Sequence, residues 1–536
     1  MTLAPRFLVK LWARFKVAQF ARRQKTIARD GAAQETVFAE RVAALAGTEF
    51  GRQHDLDADT TYEQFTARVP VRTYEWFEPH IRRMAAGQAG VLVPGKCPLF
   101  VETAGTAGAA PKLLPVPGAM LVHFRRGLLD ALLFYAHRAG HPRVFLGRHL
   151  QVGASIAVNE AKGVFQTSLD GVLALSVSPW AEANLRSPPA PVATMPEGFA
   201  KVGATARAML RREVTLVAGT PAAVCAQAQA VREAASSDQQ RKPHLQAVWP
   251  NLECYLHTGA PLGLFGETLR ATLGPSVKFH EVYAAAEGIF AAQDDASPAA
   301  LRVLADAGIF FEFLPLSAYS EAAVVGAELR CVPLAKVETG VNYVPVITTP
   351  AGLVRYATGD VVRFVSTTPP RLQFAGRAAL QLNATGERVG EREVLETLQA
   401  VCGRNGWSPI AFHVAPYQAR LGPGQILHAH EWWLELGTHT VKTPTANVLG
   451  PEFDAELSRR SADYAARRAK NQLGAPLVRL VMPGVFESWA TAQKKTASAS
   501  KLPRCRPDRL IADQLAALAP FHQATIPPFT TSDLRK

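Results

Sequence analysis

The stretch Thr103-Ala104-Gly105-Thr106-Ala107-Gly108-Ala109-Ala110-Pro111-Lys112, followed by Leu113-Leu114-Pro115, decides how this chain is read. Gly105 and Gly108 let backbone N–H groups turn inward and approach an anion closely. The hydroxyls of Thr103 and Thr106 add donors, and Lys112 adds a positive charge. Together these groups make a phosphate cradle. The stretch is not a Walker loop, because no Gly-Lys-Ser/Thr ending stands at the required spacing. The competing reading is an Ala/Gly-rich surface loop, and the loop alone does not decide between the two.

Further segments decide it. Glu281-Val282-Tyr283-Ala284-Ala285-Ala286-Glu287-Gly288 places an aromatic four residues before a carboxylate. The ring can stack on a purine while the carboxylate holds a metal. Gly352-Leu353-Val354-Arg355-Tyr356-Ala357-Thr358-Gly359-Asp360 places an aspartate after a glycine turn, where it can accept hydrogen bonds from two ribose hydroxyls. Phe374-Ala375-Gly376-Arg377 adds an arginine able to reach a ribose or a phosphate, and Lys501-Leu502-Pro503-Arg504-Cys505 stands near the end.

In this order and at these separations the segments resemble the adenylate-forming enzymes, a superfamily that includes firefly luciferase. Within it the chain resembles the acyl acid amido synthetases of the Gretchen Hagen (auxin-responsive promoter) family and their bacterial relatives. Residues 103–115 match that family's Ser-Ser-Gly-Thr-Ser-x-Gly-x-x-Lys-x-x-Pro loop in register. Tyr283 to Glu287 match its Tyr-x-x-Ser-Glu, Tyr356 to Asp360 its Tyr-Arg-x-Gly-Asp, and Lys501 to Cys505 its Lys-x-Pro-Arg-Cys. Phe50-Gly51, Phe65, Val69-Pro70, Tyr74-Glu75 and Pro79 are similar to its N-terminal region, so the likeness spans roughly residues 20–510.

The resemblance implies a two-step ligase. A carboxylate attacks the α-phosphate of ATP, giving an acyl-AMP and pyrophosphate; an amine, in this family usually that of an amino acid, then takes the acyl group and releases AMP. It implies Lys501 and Lys112 as catalytic lysines. Thr103, Gly105, Thr106, Gly108, Tyr283, Asp360 and Arg377 would bind the nucleotide, and Glu287 would hold Mg²⁺. The implied fold is α/β: a large N-terminal adenylate-forming domain with layered α/β sheets, residues 1–377, carrying the ATP and acyl sites. A smaller, mobile α+β C-terminal domain, residues 378–536, would follow, with a hinge at Gly376-Arg377.

Several positions depart from the family pattern. Ala104 and Ala107 stand for serines in the loop, Ala286 for the serine before Glu287, Ala357 for an arginine, and Arg388 for a lysine after Asn383-Ala384-Thr385-Gly386-Glu387. A lost hydroxyl removes a hydrogen bond worth roughly 0.5–1.5 kcal/mol, or about 1.5–3 kcal/mol to a charged phosphate. Backbone N–H groups supply much of a glycine loop's grip, and alanine keeps them. Weaker ATP binding or slower adenylation is therefore expected. Two alternatives stand beside the amide ligase: an enzyme passing its acyl group to a thiol, coenzyme A or a carrier protein, and a catalytically silent nucleotide- or acyl-binding relative. Retained Lys112, Glu287, Asp360 and Lys501 argue against the silent one.

At 536 residues, 48% hydrophobic and 19% charged, the chain reads as an ordinary globular protein with ample core. The formal charge of +13 suits an anionic nucleotide and substrate. Its Lys/Arg residues are dispersed and no zinc-finger or ribonucleoprotein pattern occurs, so no nucleic-acid partner is expected. Cys97, Cys225, Cys254, Cys331, Cys402 and Cys505 show no metal or paired spacing, which suggests thiols of a cytoplasmic, reducing compartment. No secretory signal or membrane-length apolar run is visible. Residues 1–29 interleave Phe7, Leu8, Leu11, Phe15, Val17 and Phe20 with Lys10, Arg14, Lys16, Arg22 and Arg23. Packing on the large domain is the favoured reading of this helix, and contact with an anionic membrane the lesser one.

Along the chain, helices are expected over 33–48, 54–67 and 118–135, near 390–402, and near 452–472. Strands are expected at Phe100-Val101, Val144-Phe145-Leu146 and Val214 to Ala218, the last two as buried parallel strands. Thr220-Pro221 opens a helix, Ser187-Pro188-Pro189-Ala190-Pro191 forms a surface loop, and a strand holds Phe374. Trp432-Trp433 alternates within a strand-like run and is read as packing. His257 is read as structural, and His123 and Phe124 as acyl-pocket candidates.

Overall fold

The computed structural model describes residues 5–30, 32–103, 111–161, 163–235, 244–258, 262, 265–295, 300–320, 329–422, 425–437, 444–492 and 502–518. The chain divides into two compact units, Met1–Gly259 with Glu267–Phe374, and Ala260–Gly266 with Ala375–Lys536.

In the first unit, β1 (Leu99–Glu102) and β2 (Leu113–Pro115) form an antiparallel hairpin whose connection is the glycine loop. β3 (Arg148–Gln151) enters the large sheet, whereas β4 (Asn159–Ala161) and β5 (Val164–Thr167) complete a four-stranded sheet in the order β2-β1-β5-β4. β6 (Arg186–Ser187), β7 (Val214–Ala218), β8 (Cys254–Thr258) and β9 (Lys278–Ala285) join β3 by parallel pairing. From β10 (Gly288–Ala292) onward the pairing turns antiparallel. β11 (Leu301–Val303), β12 (Phe310–Pro315), β13 (Val332–Pro333), β14 (Asn342–Thr348), β15 (Tyr356–Ala357), β16 (Asp360–Thr367) and β17 (Pro370–Arg377) extend it. The result is one mixed 13-stranded sheet.

Val214–Ala218 is apolar apart from Thr215 and buried through Val217, as suits a strand paired on both edges. Thr220 then caps the helix Pro221–Ala234 by accepting from the Ala223 N–H. The helix Gly118–Ala139 buries Met120, Phe124, Phe134 and Tyr135.

The second unit pairs β18 (Pro409–Gly422) with β19 (Gln425–Leu436) as a long hairpin, and β20 (Leu477–Val481) runs parallel to β19. Adjacent strand residues face opposite sides of a sheet. Trp432 accordingly packs with Phe453, ring centroids 4.5 Å apart, in the cluster under the helices Glu391–Asn405 and Ala446–Arg460. Trp433 sits on the other face with Phe486 and Trp489. Packing was the reading of this pair, and burial on both faces agrees with it.

Four sequence expectations need correction. Val144-Phe145-Leu146 lies in a 3-10 turn, and the strand begins at Arg148, where pairing with the next strand starts. The Thr215 hydroxyl donates to the Val144 carbonyl and so diverts that segment from the ladder. Residues 54–61 are not helical; the Asp57 and Thr60 side chains bond local backbone, and the helix Tyr62–Arg68 starts at a Thr61/Gln64 capping box. Residues 452–472 are not one helix. Ser461, extended and accepting from the Tyr464 N–H, separates Ala446–Arg460 from Ala462–Ala469. Ser187 and Pro188 are buried, Ser187 within β6, rather than belonging to a surface loop.

Candidate functional site

Lys112 leaves the glycine loop at a closed neck. The Thr103 N–H donates to the Lys112 carbonyl at 2.9 Å, and the Lys112 N–H donates to Thr103 Oγ1 at 3.0 Å. Thr103 therefore shapes the mouth of the loop. Gly105, Thr106 and Gly108 lie outside the described residues, as does Lys501.

Two tyrosines fix the Lys112 ammonium. Nζ lies 5.1 Å from the Tyr74 ring centroid and 5.9 Å from that of Tyr356, and it donates to the Tyr356 hydroxyl at 3.3 Å. Tyr74 is itself tied to the strand beyond the loop. Its hydroxyl donates to the Leu113 carbonyl at 3.1 Å and accepts from the Leu113 N–H at 2.9 Å. Tyr356 is held by a short parallel bridge to Arg72, just before the helix Tyr74–Ala85.

Behind Tyr356, Arg355 makes a buried two-pronged ion pair with Glu312, both contacts at 3.0 Å, and bonds the Val69 carbonyl at 2.6 Å. Arg355 adopts φ +46°, an uncommon conformation for a non-glycine residue, and these contacts over-determine it.

The Tyr356 hydroxyl donates toward Glu287 Oε1 at 3.4 Å. Burial, and then the charges of Glu287 and Asp360, hold this hydroxyl well above its usual pKa of 10, so it stays a donor. Glu287 occupies the two-residue turn between β9 and β10, where Gly288 pairs with Ala285. That turn is pinned from behind. His123 Nε2 accepts the Ile289 N–H at 2.9 Å, and Nδ1 bonds the Ala307 carbonyl at 2.6 Å. Gly288, at φ +152°, leaves room for this approach: a Cβ there would lie 2.4 Å from Ile309 Cδ1 and 2.9 Å from His123 Nε2. Burial pushes the His123 pKa down to about 4, matching a neutral ring with both nitrogens engaged. Phe124 is fully buried core. His123, with both ring nitrogens engaged, also borders a cavity of about 490 Å³ together with Val37, Arg41 and Arg126.

Asp360 starts β16 after Gly359, whose φ of +77° turns the chain. Asp360 Oδ2 accepts from the Tyr283 hydroxyl at 2.7 Å. The Tyr283 ring is only 4% exposed and packs on Phe290 and Phe374 at centroid distances of 4.9 and 5.7 Å. Lys112 and Glu287 thus meet through Tyr356, and Tyr283 meets Asp360. Arg377 ends β17 and belongs to the second unit, half-buried. His257 is buried beside Tyr255, rings 5.4 Å apart, and burial lowers its pKa to about 4, as befits a structural histidine.

Sequence reasoning gave no role to Tyr74, Tyr356 or Arg355, although Tyr74 and Tyr356 stood inside the quoted motifs. Tyr74 stands 38 positions from Lys112 in the chain and Tyr356 stands 244, so no local pattern pairs them with it.

An apolar cavity of about 500 Å³ lies elsewhere in the first unit, lined in part by Leu8, Trp12, Leu128, Phe145 and Trp180. It shares no residue with this cluster. Among the described residues no group of three or more His, Cys, Asp or Glu is arranged to hold a metal.

Known proteins share this arrangement of segments. Models of the GH3 family N-terminal, central and C-terminal domains match residues 21–179, 302–377 and 392–509. The indole-3-acetic acid-amido synthetase GH3.8 of Oryza sativa subsp. indica is 25% identical over 88% of each chain. The probable indole-3-acetic acid-amido synthetase GH3.1 of Arabidopsis thaliana is 24% identical over the same shares. The AtGH3.15 acyl acid amido synthetase, solved in complex with 2,4-DB, superposes with a TM-score of 0.70 at 17% identity, covering 92% of this chain and 94% of its own. A 2-hydroxyisobutyryl-CoA ligase in the postadenylation state superposes with a TM-score of 0.56 at 14% identity, covering 93% of both. The fold, a large N-terminal α/β domain followed by a smaller one, is that of adenylate-forming enzymes.

Proposed function

The chain belongs to the GH3 family, and on that premise we propose that it is an ATP-dependent acyl acid amido synthetase, joining a carboxylic acid to the amine of an amino acid through an acyl-AMP. The observation that carries this reading is the Lys112–Tyr356–Glu287 array at the mouth of the glycine loop. The alanines that replace loop serines have not been accompanied by loss of the charged groups.

In the first step a substrate carboxylate oxygen attacks the α-phosphorus of ATP, and the bond to the β-phosphate oxygen breaks. Negative charge builds on the departing pyrophosphate, so the chain's task is positioning and charge stabilisation. Lys112 presents a fixed cation at the loop mouth, and the protonated Tyr356 hydroxyl presents a neutral donor. The backbone N–H groups of 104–110, with Thr106, complete the cradle. Asp360 accepts the ribose hydroxyls; a carboxylate has about four lone-pair sites, so the bond from Tyr283 leaves capacity for them. Tyr283 lines the adenine side and orients Asp360. Arg377 is assigned to the ribose or a phosphate, and Lys501 to the adenylation step. In the second step the amine lone pair attacks the acyl carbon, AMP leaves with the bonding pair, and the amine loses a proton.

Glu287 is the residue for Mg²⁺. Mg²⁺ usually keeps several waters and takes its other ligands from one or two carboxylates and substrate phosphates, so a single half-buried glutamate fits it. The ion would supply charge neutralisation at the phosphate oxygens. Residues 1–377 are proposed to carry the ATP and acyl sites, and 378–536 to form the small C-terminal domain. The six free cysteines, four of them buried, support a reducing cytoplasmic setting.

The test is mass spectrometry of purified protein with ATP, Mg²⁺, pooled aromatic and aliphatic acids and the amino acids. An acyl-AMP followed by an amide is the expected outcome. A thioester formed on added coenzyme A, with no amide, would overturn the acceptor assignment.

A further inference from the structure

The N-terminal helix, Arg6–Asp30, carries two apolar faces, and the fold accounts for one. Val9, Ala13, Phe20 and Gln24 are buried toward the body. Phe20 meets Phe134 edge-on at 4.6 Å, and Arg23 pairs with Asp130 and Asp306. This anchors the helix on Gly118–Ala139, as its sequence suggests.

The opposite face is also apolar. Phe7, Leu11 and Phe15, spaced four residues apart on one stripe, are 69%, 65% and 64% exposed. Leu8 and Trp12 continue that surface round one flank into the 500 Å³ apolar cavity. The proposed reaction uses none of these side chains, and large exposed apolar patches mark interaction sites.

Charge says what covers the stripe. Residues 1–29 hold eight basic residues and no Asp or Glu. Exposed Lys10 and Arg14 run beside the stripe, and Arg22 and Lys25 extend the basic surface beyond it. A second copy docked stripe to stripe would bring two cationic helices together. Anionic phosphate headgroups over an acyl layer satisfy both the aromatic stripe and the cations beside it. We propose that this helix docks the enzyme on an anionic lipid bilayer surface, Phe7, Leu11 and Phe15 entering the headgroup–acyl boundary. Among the described residues no helix is long and apolar enough to cross a membrane, so the contact is peripheral.

The experiment is co-sedimentation of the full chain with vesicles of phosphatidylcholine, with or without phosphatidylglycerol. Wild type is expected to sediment with the anionic vesicles at low salt, to bind them less at high salt, and to leave neutral vesicles largely unbound. Two variants, Phe7→Ser/Leu11→Ser/Phe15→Ser and Lys10→Glu/Arg14→Glu, should each lower partitioning by about tenfold or more without changing the melting temperature. Should the triple variant misfold, the charge-reversal variant carries the test alone. Equal sedimentation of wild type and folded variant overturns the proposal, and so does wild type that ignores anionic vesicles. A concentration-dependent dimer abolished by the same variants would also overturn it, assigning the stripe to a second copy. This inference does not rest on the ligase reading, because its readout is binding.

Discussion

The two hairpins that carry the opposite charges of the site are built differently. β1–β2 closes a long loop and is secured at its neck, through the Thr103–Lys112 pair and the Tyr74 hydroxyl on Leu113. β9–β10 has a two-residue turn and is secured from behind, where His123 and Gly288 lock it onto the core. The first is tied at the two ends of its loop, whereas the second is fixed at the residues that directly follow Glu287.

The largest expected effect comes from removing the charges themselves. Lys112→Ala and Glu287→Ala should each lower adenylation by at least about tenfold with the fold intact, measured as initial rates beside circular dichroism. A similar rate in both variants and wild type would break the idea that the hairpins work as a pair.

Next is the lock behind Glu287. Gly288→Ala forces a Cβ against Ile309 and His123 and should cost about 1–3 kcal/mol in thermal or urea unfolding. His123→Leu leaves the Ile289 N–H and the Ala307 carbonyl without their partner and should cost about 2 kcal/mol. A lock that matters to Glu287 also lowers kcat in whatever fraction stays folded. Unchanged kcat would reduce His123 to a purely structural role.

Acid separates the hairpins further. The folded His123 pKa of about 4 lies below its ordinary 6.5, so the neutral ring's contribution is complete above 6.5 and is lost as pH falls toward 4. Protection of the Ile289 amide, taken relative to its intrinsic exchange rate at each pH, should therefore fall across that interval by more than that of Leu113. An equal loss of protection at both would contradict separate anchoring.

The smallest effect is expected at the neck. Thr103→Val removes one acceptor while the backbone bond from the Thr103 N–H stays, so about 1 kcal/mol or less is expected, with a modest rise in the KM for ATP.

Elements with one dominant signal were legible in the sequence. Val214–Ala218 is a largely apolar run rich in β-branched residues and ended by glycine, and Trp432-Trp433 alternates within a strand. The stretch 54–61 was misread because side-chain bonds from Asp57 and Thr60 outcompete the helix. Val144–Leu146 was misread because three residues cannot show a period, and tertiary contact with Thr215 settles their shape. At the site, the charged residues were visible as motifs, but their supports were not. Tyr74 meets Lys112 from 38 positions away, and His123 meets Ile289 from 166. Such pairings leave no local mark in a sequence.

The central claim is that Lys112, Tyr356 and Glu287 form the phosphate end of an adenylation site. ATP–pyrophosphate exchange in wild type and Glu287→Ala, with Mg²⁺ and pooled carboxylic acids, tests it most directly. Acid-dependent exchange in wild type, reduced at least about tenfold in Glu287→Ala, is the predicted result. Equal exchange in the two proteins would contradict it.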